Sequence, residues 1–227
     1  MTSPFKVSRL LVSITIGIFI VVIAIGYIVS VRQASEAITI NTEGQPTIGD
    51  PNAKVRVVVF EEPKCFNCKQ FNNSIFPKIK RDFIDTDQVL YTVITVSFLP
   101  SSLPAADALL CVYHQGAKPN PDLFFSYLDF IYQNQPPEKE DWATDDKLIE
   151  MAHLANPGIQ LRQLRVCTDA QTHREQIVRN TEYGRRIMHG HITTPTLYVD
   201  GVLIPKLTYA KVSKAIRRAL SAKGELP

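Results

Sequence analysis

Lys54 to Phe60 reads KVRVVVF, a β-branched apolar run suited to a strand buried on both faces. Glu61-Glu62-Pro63-Lys64 follows at once, and then Cys65-Phe66-Asn67-Cys68. Beyond the second cysteine, Phe71, Ile75, Phe76, Ile79 and Phe83 recur at three- and four-residue steps, which lays one apolar face along a helix. Pro77 inside that pattern predicts a kink, because it removes a backbone donor and crowds the preceding turn. Val89 to Phe98 (VLYTVITVSF) reads as a second strand. Strand, helix and strand make a βαβ unit with parallel, right-handed pairing, and the Cys-x-x-Cys stands at its strand-to-helix turn.

That position has chemical consequences. The first thiol lies at a helix N-terminus, where unpaired amides and the positive end of the macrodipole both favour a thiolate. A free thiol has a pKa of ~8.5, and lowering it to ~7 needs ~2 kcal/mol of preferential stabilisation. A helix end can supply that with a neighbouring cation, for which Lys64 is the candidate. Cys68 comes about one turn later, is expected to be the more buried, and would resolve a mixed disulfide formed at Cys65. Two plainer readings compete. Cys-x-x-Cys is also zinc-ligand spacing, but no second such pair exists and the only clustered imidazoles are His189 and His191. The other is an inert pair of buried thiols.

From Leu10 to Val31 the chain has about 22 residues without a charge, enough for a helix to cross the hydrocarbon core. Lys6 and Arg9 precede the run and Arg32 alone follows closely, which favours a cytoplasmic N-terminus at residues 1–9. A cleaved signal peptide is the alternative, although its apolar region is usually ~7–15 residues and ends in a small-x-small site absent here. Either reading exports the remainder into a compartment where disulfides persist. Residues 32–50 are polar and rich in Gly and Pro, a stalk with one short strand at Ala37–Ile40.

Helical periodicity governs the chain from about residue 103 to 188, over Ala105–Gln115, Pro121–Asn134, Thr144–Ala155 and Ile159–Gly184, with Asn120 and Thr144 as N-caps. Strands return at Thr196–Val199 and Val202–Ile204 around Asp200-Gly201, a hairpin signal, and an amphipathic helix follows from Tyr209 to Ala222. Cys111 and Cys167 lie in the helical stretch. In an oxidising compartment two leftover cysteines more often pair, the alternatives being two buried thiols or a second redox centre. Trp142 reads as a satellite packing residue, and His114, His153 and His173 as surface or satisfied groups. A net charge of only +3 with no basic stripe argues against a nucleic-acid partner.

Thr193-Thr194-Pro195-Thr196 precedes the apolar strand, and on general grounds its proline is a trans residue at a strand start. The order strand, Cys-x-x-Cys, kinked helix, strand, helical insertion, Thr-Pro-Thr, hairpin and terminal helix resembles the thioredoxin superfamily. The long insertion makes it similar to the DsbA-like branch, including membrane-anchored BdbD-type members. The resemblance implies an α/β thioredoxin fold over residues 51–223, with an all-helical subdomain at about 103–188, behind one transmembrane helix. It implies that Pro195 is cis against the active-site pair, and that Thr194 pairs with an extended substrate, a case of β-augmentation, with Phe66 and Asn67 also on the substrate surface. Strongly oxidising members carry Pro-His between the cysteines where this chain has Phe66-Asn67, and many relatives bury an acid at the position of Val59. Glu61 or Glu62 could replace that acid as proton acceptor for Cys68, or both could be solvated turn carboxylates. The implied activity is thiol:disulfide exchange on exported cysteine-containing proteins, at the outer face of a bacterial inner membrane. It needs no dissociable cofactor and no metal. The implied redox partner is quinone-linked if the protein is an oxidase, or a transmembrane thiol carrier if it is a reductase or isomerase. A non-catalytic module of the same fold, holding a metal or a partner, is the rival reading.

Overall fold

The structure, a computed structural model, describes residues 9–33 and 36–224. They fall into two units that divide after Ala37. In the first, α1 is one helix, Arg9–Gln33. The side chains described along it, at residues 14–26, are exposed, Phe19 at 67%. Among the described residues no helix is long and apolar enough to cross a membrane. The described side chains of α1 are themselves fewer than the ~20 a crossing needs, so part of the 10–31 anchor reading lies outside them.

The second unit is built on a five-stranded sheet of order β1-β3-β2-β4-β5. β2 (Val55–Glu61) and β3 (Val89–Thr95) pair in parallel, from Val55 opposite Val89 to Glu61 opposite Thr95. β1 (Thr47–Ile48) joins β3, β4 (Thr196–Val199) joins β2, and β5 (Val202–Leu203) joins β4, all antiparallel. Both faces of β2 are covered, which is why its sequence is nearly all apolar. The two-residue period sorts its side chains: Val55, Val57 and Val59 enter the main core, while Val58 and Phe60 enter a second cluster with Ile94, Val96 and Tyr198. By the same period Glu61 leaves the strand on the main-core side.

Between β2 and β3 lie α2 (Phe66–Ser74), α3 (Phe76–Ile79) and a π-helical turn (Lys80–Ile84). The expected kink is present, and it falls at Ile75 rather than at Pro77, because the proline occupies the first turn of α3, where its missing N–H goes unneeded. The inserted helices are α4 (Leu103–Tyr113), α5 (Pro121–Asn134), α6 (Asp145–Ala155), α7 (Leu161–Asp169) and α8 (Arg174–Ile187). Asn120 and Thr144 cap α5 and α6, accepting from Leu123 N at 3.1 Å and Lys147 N at 3.4 Å. α4 is buried from Ala105 to Tyr113 and packs against α5, α7 and α8. α9 (Tyr209–Ala222) buries Val212, Ile216 and Leu220.

Four expectations need correction. The periodic stretch 159–184 is two helices, because Gln171 turns left-handed (φ 50°) and buried Asp107 of α4 accepts the His173 amide at 2.9 Å where α8 begins. Ala37–Ile40 is no strand. Its Ile38 N–H donates once, to Gly201 O at 3.0 Å, and the edge strand comes later, at Thr47–Ile48. The stalk is likewise shorter than 32–50, since the compact unit begins at Ile38, and Gln45 pairs its side-chain amide with that of Asn180 at 2.8 and 3.1 Å. Trp142 belongs to the main core rather than to a satellite.

Candidate active site

Cys65 is the N-cap of α2, with extended backbone (φ −68°, ψ 125°), and Cys68 faces the core one turn later. Cys65 keeps 7% of its surface exposed and Cys68 none. Both are thiols in this structure. The two sulfurs are pulled in opposite directions. A hydrogen bond from Cys68 brings the Cys65 thiol down to about 6 against the cost of burial, helped by Thr194 and by the amides of Cys68 and Asn67. Burial pushes the Cys68 thiol well up, and its bond to Cys65 and the nearby Glu61 carboxylate push the same way. At neutral pH the thiolate is therefore favoured at Cys65 while Cys68 stays protonated.

Cys65 Sγ lies 3.5 Å from the carbonyl oxygen of Thr194, and the Thr194–Pro195 peptide is cis. The loop before β4 is thus laid directly against the first sulfur. A cleft of about 570 Å³ opens beside it, between Asn67, Gln70 and Ser74 of α2 and the Thr193–Thr196 segment.

A thioredoxin profile matches residues 41–218. The disulfide bond formation protein D of Bacillus subtilis is 31% identical over 183 residues, 80% of this chain and 79% of that one. The chain belongs to the DsbA-like thioredoxin family. Among solved structures it is similar to Chlamydia trachomatis DsbA (TM-score 0.76, 35% identity, 83% of this chain and 97% of the other). It is also similar to oxidised BdbD of Bacillus subtilis (TM-score 0.73, 30% identity, 82% and 98%). As a member of this family it is a thiol:disulfide oxidoreductase.

In this DsbA-like protein the acids behind the cysteines are buried, which replaces the solvated-turn alternative. Glu61 is 3% exposed and Glu62 not at all. Burial raises the Glu61 carboxyl to about 8, opposed by a 2.8 Å hydrogen bond from the Tyr132 hydroxyl to Oε2. Burial raises Glu62 to about 8 as well, opposed by a hydrogen bond from Ser102 and by the Lys64 amide, from which its Oε2 accepts at 2.9 Å. Lys64 does not play the part of the neighbouring cation. Its buried Nζ donates to the carbonyls of Pro100 and Glu140, both at 2.9 Å, so hydrogen bonds rather than a lysine acidify Cys65.

Phe66 is 54% exposed and Asn67 lines the cleft. His189 and His191 do not line that cleft. Cys111 of α4 and Cys167 of α7 are bonded to each other. The one grouping of potential metal ligands among the described residues is these two sulfurs with His173, away from Cys65 and Cys68, and the disulfide already occupies both sulfurs. Tyr132 carried no signal in the sequence beyond its place on an amphipathic helix. Glu138, whose Oε2 accepts from Phe66 N at 2.9 Å, carried none at all.

Proposed function

We propose that this oxidoreductase introduces disulfides into exported proteins, tethered to the bacterial inner membrane by residues 10–31 and facing the extracytoplasmic side. The observation that carries the reading is the opposed acidity of the two thiols, with Cys65 held at about 6 and Cys68 held protonated. A stable thiolate is a good leaving group, and that favours donating a disulfide over receiving one. A client thiolate attacks Cys65 of the oxidised pair, the Cys65–Cys68 bond breaks, and Cys68 leaves and takes up a proton. A second client thiolate then attacks its own mixed disulfide and expels Cys65 as thiolate. The client loses two electrons and the pair gains them, so no dissociable cofactor is needed. We assign the exchange of that proton to Glu61, whose buried carboxyl is raised to about 8 and acts electrostatically on Cys68. Thr194, Pro195 and Asn67 border the cleft, and exposed Phe66 lies on the neighbouring groove with Lys69 and Glu138; together they supply the surface against which an extended client lies.

The uncharged run within α1 supports the tether, since exposed Ile, Val and Phe side chains are stable in lipid and unfavourable in water. A membrane quinone-linked oxidase is the class of partner that would re-oxidise the pair. The test is the equilibrium potential of Cys65/Cys68 in glutathione buffers. A value of about −120 mV supports the oxidase, and one of about −270 mV would overturn it in favour of a reductase. Cys68→Ser should trap client proteins as mixed disulfides.

A further inference from the structure

The first turn of α2 presents three successive amides, and they do not all serve Cys65. Those of Asn67 and Cys68 hydrogen-bond its sulfur, whereas that of Phe66 donates to Oε2 of Glu138 at 2.9 Å. Glu138 arrives from the loop between α5 and α6, and the same loop grips the turn twice more. The Glu140 carbonyl accepts from Lys64 Nζ at 2.9 Å and the Gln135 carbonyl from Lys69 Nζ at 3.4 Å. A carboxylate on the first amide of a helix is stabilised by the helix dipole. Here a second anion, the Cys65 thiolate, uses the same helix end. Two negative charges therefore share one terminus, with Phe66 N–H between them.

We propose that Glu138 sets the potential of the pair: its carboxylate takes the Phe66 amide, raises the free energy of the neighbouring thiolate, and makes Cys65/Cys68 a weaker oxidant than the bare helix end would. The charged groups around it are few. Lys69 and Lys139 line the same groove, Lys64 is committed to its two carbonyls, and Glu62 is buried beneath, where the Glu138 charge adds to its raised carboxyl. The inference rests on the dithiol–disulfide reading. In the equilibrium, oxidised pair and two glutathione thiols give reduced pair and glutathione disulfide, and whatever destabilises the thiolate pushes the reaction back.

Glu138→Gln keeps an oxygen for the Phe66 amide and removes only the charge. It should lower the midpoint of the Cys65 alkylation-versus-pH curve and raise the equilibrium constant for oxidising glutathione about 3- to 10-fold, or about 15–30 mV for two electrons. The gap between wild type and variant should shrink as salt rises from about 0.01 M to about 1 M. An unchanged midpoint and constant, with or without a loss of stability, would reduce Glu138 to a loop anchor and overturn the inference; so would a gap indifferent to salt. Should the wild-type pair fail to exchange with glutathione at all, the underlying redox reading is what falls.

Discussion

The Tyr132 hydroxyl donates a 2.8 Å hydrogen bond to Oε2 of Glu61, two residues with almost no surface between them. The bond crosses from α5, in the inserted helices, to the last residue of β2. It joins the helical insertion to a carboxyl that acts electrostatically on Cys68. Glu61 keeps the face of Val57 and Val59, so the carboxyl enters the core on the side where Cys68 lies.

Replacing either member of that pair should separate proton transfer from thiolate stability. In Glu61→Gln, resolution of a mixed disulfide at pH 7–8 should slow about 100-fold, the lower end for loss of a general acid–base group. Tyr132→Phe should leave more activity, raise the Glu61 carboxyl further, and cost about 1–3 kcal/mol for the buried acceptor it leaves unpaired. Stopped-flow resolution of a preformed peptide adduct is the measurement. Equal rates in wild type and Glu61→Gln would remove Glu61 from the proton path.

Stability should depend on pH differently in the two redox forms. Glu61 and Glu62 lie at about 8 when folded and near 4.5 when unfolded, so the fold retains protons the unfolded chain has released. Their contribution therefore falls as pH rises between those values. Cys65 acts the other way in the reduced protein. Folded, it titrates at about 6 against 9.0, so its stabilisation is absent below 6 and grows as pH rises from 6 to 9. The oxidised protein has no such thiol. Thermal melts should show the reduced-minus-oxidised difference in Tm becoming more positive from pH 6 to pH 9, and a flat difference would mean an ordinary thiol.

The Cys111–Cys167 bond closes a loop of 56 residues between α4 and α7. Chain entropy for a loop of that length is worth about 4 kcal/mol. Cys111→Ser combined with Cys167→Ser should lower stability by about 2–4 kcal/mol in denaturant titrations. A change under about 1 kcal/mol would mean that the core of the insertion suffices without the bridge.

Gly201 holds φ 80° in the β4–β5 turn, and a Cβ there would sit 2.0 Å from the Ile38 carbonyl oxygen. Gly201→Ala should cost about 1–3 kcal/mol through backbone strain and displacement of the segment at Ile38. Hydrogen exchange at the Ile38 amide, which bonds Gly201 O, should quicken in the variant. Unchanged protection there would show that the contact gives way freely.

Elements held by local rules are legible in the amino-acid sequence. The Asp200-Gly201 turn needs positive φ at both residues and has it, at 46° and 80°. The Asn120 and Thr144 caps, the span of α9 and the position of Cys65 at a helix start follow equally from short-range chemistry. Less legible was anything decided by a partner distant in the chain. Gln171 carries no helix-breaking signature, and the helix ends there because Asp107 offers a buried acceptor for the next start. Gln45 reads as linker until Asn180 pairs with it. The cis geometry of Thr194–Pro195 followed from family resemblance, against the general preference for trans.

By itself the amino-acid order determined a βαβ unit with two thiols at its turn, because periodicity, branching and capping act within a few residues. Only the folded chain decided how acidic each thiol and carboxyl would be. The sequence left Glu61 and Glu62 open between proton acceptor and solvated turn carboxylate and offered Lys64 as a cation beside the thiol, yet all three are buried once α5 and its following loop close over them. Desolvation depends on what covers a group, and the residues that cover these lie about 70 positions away, as Tyr132 and Glu138 do.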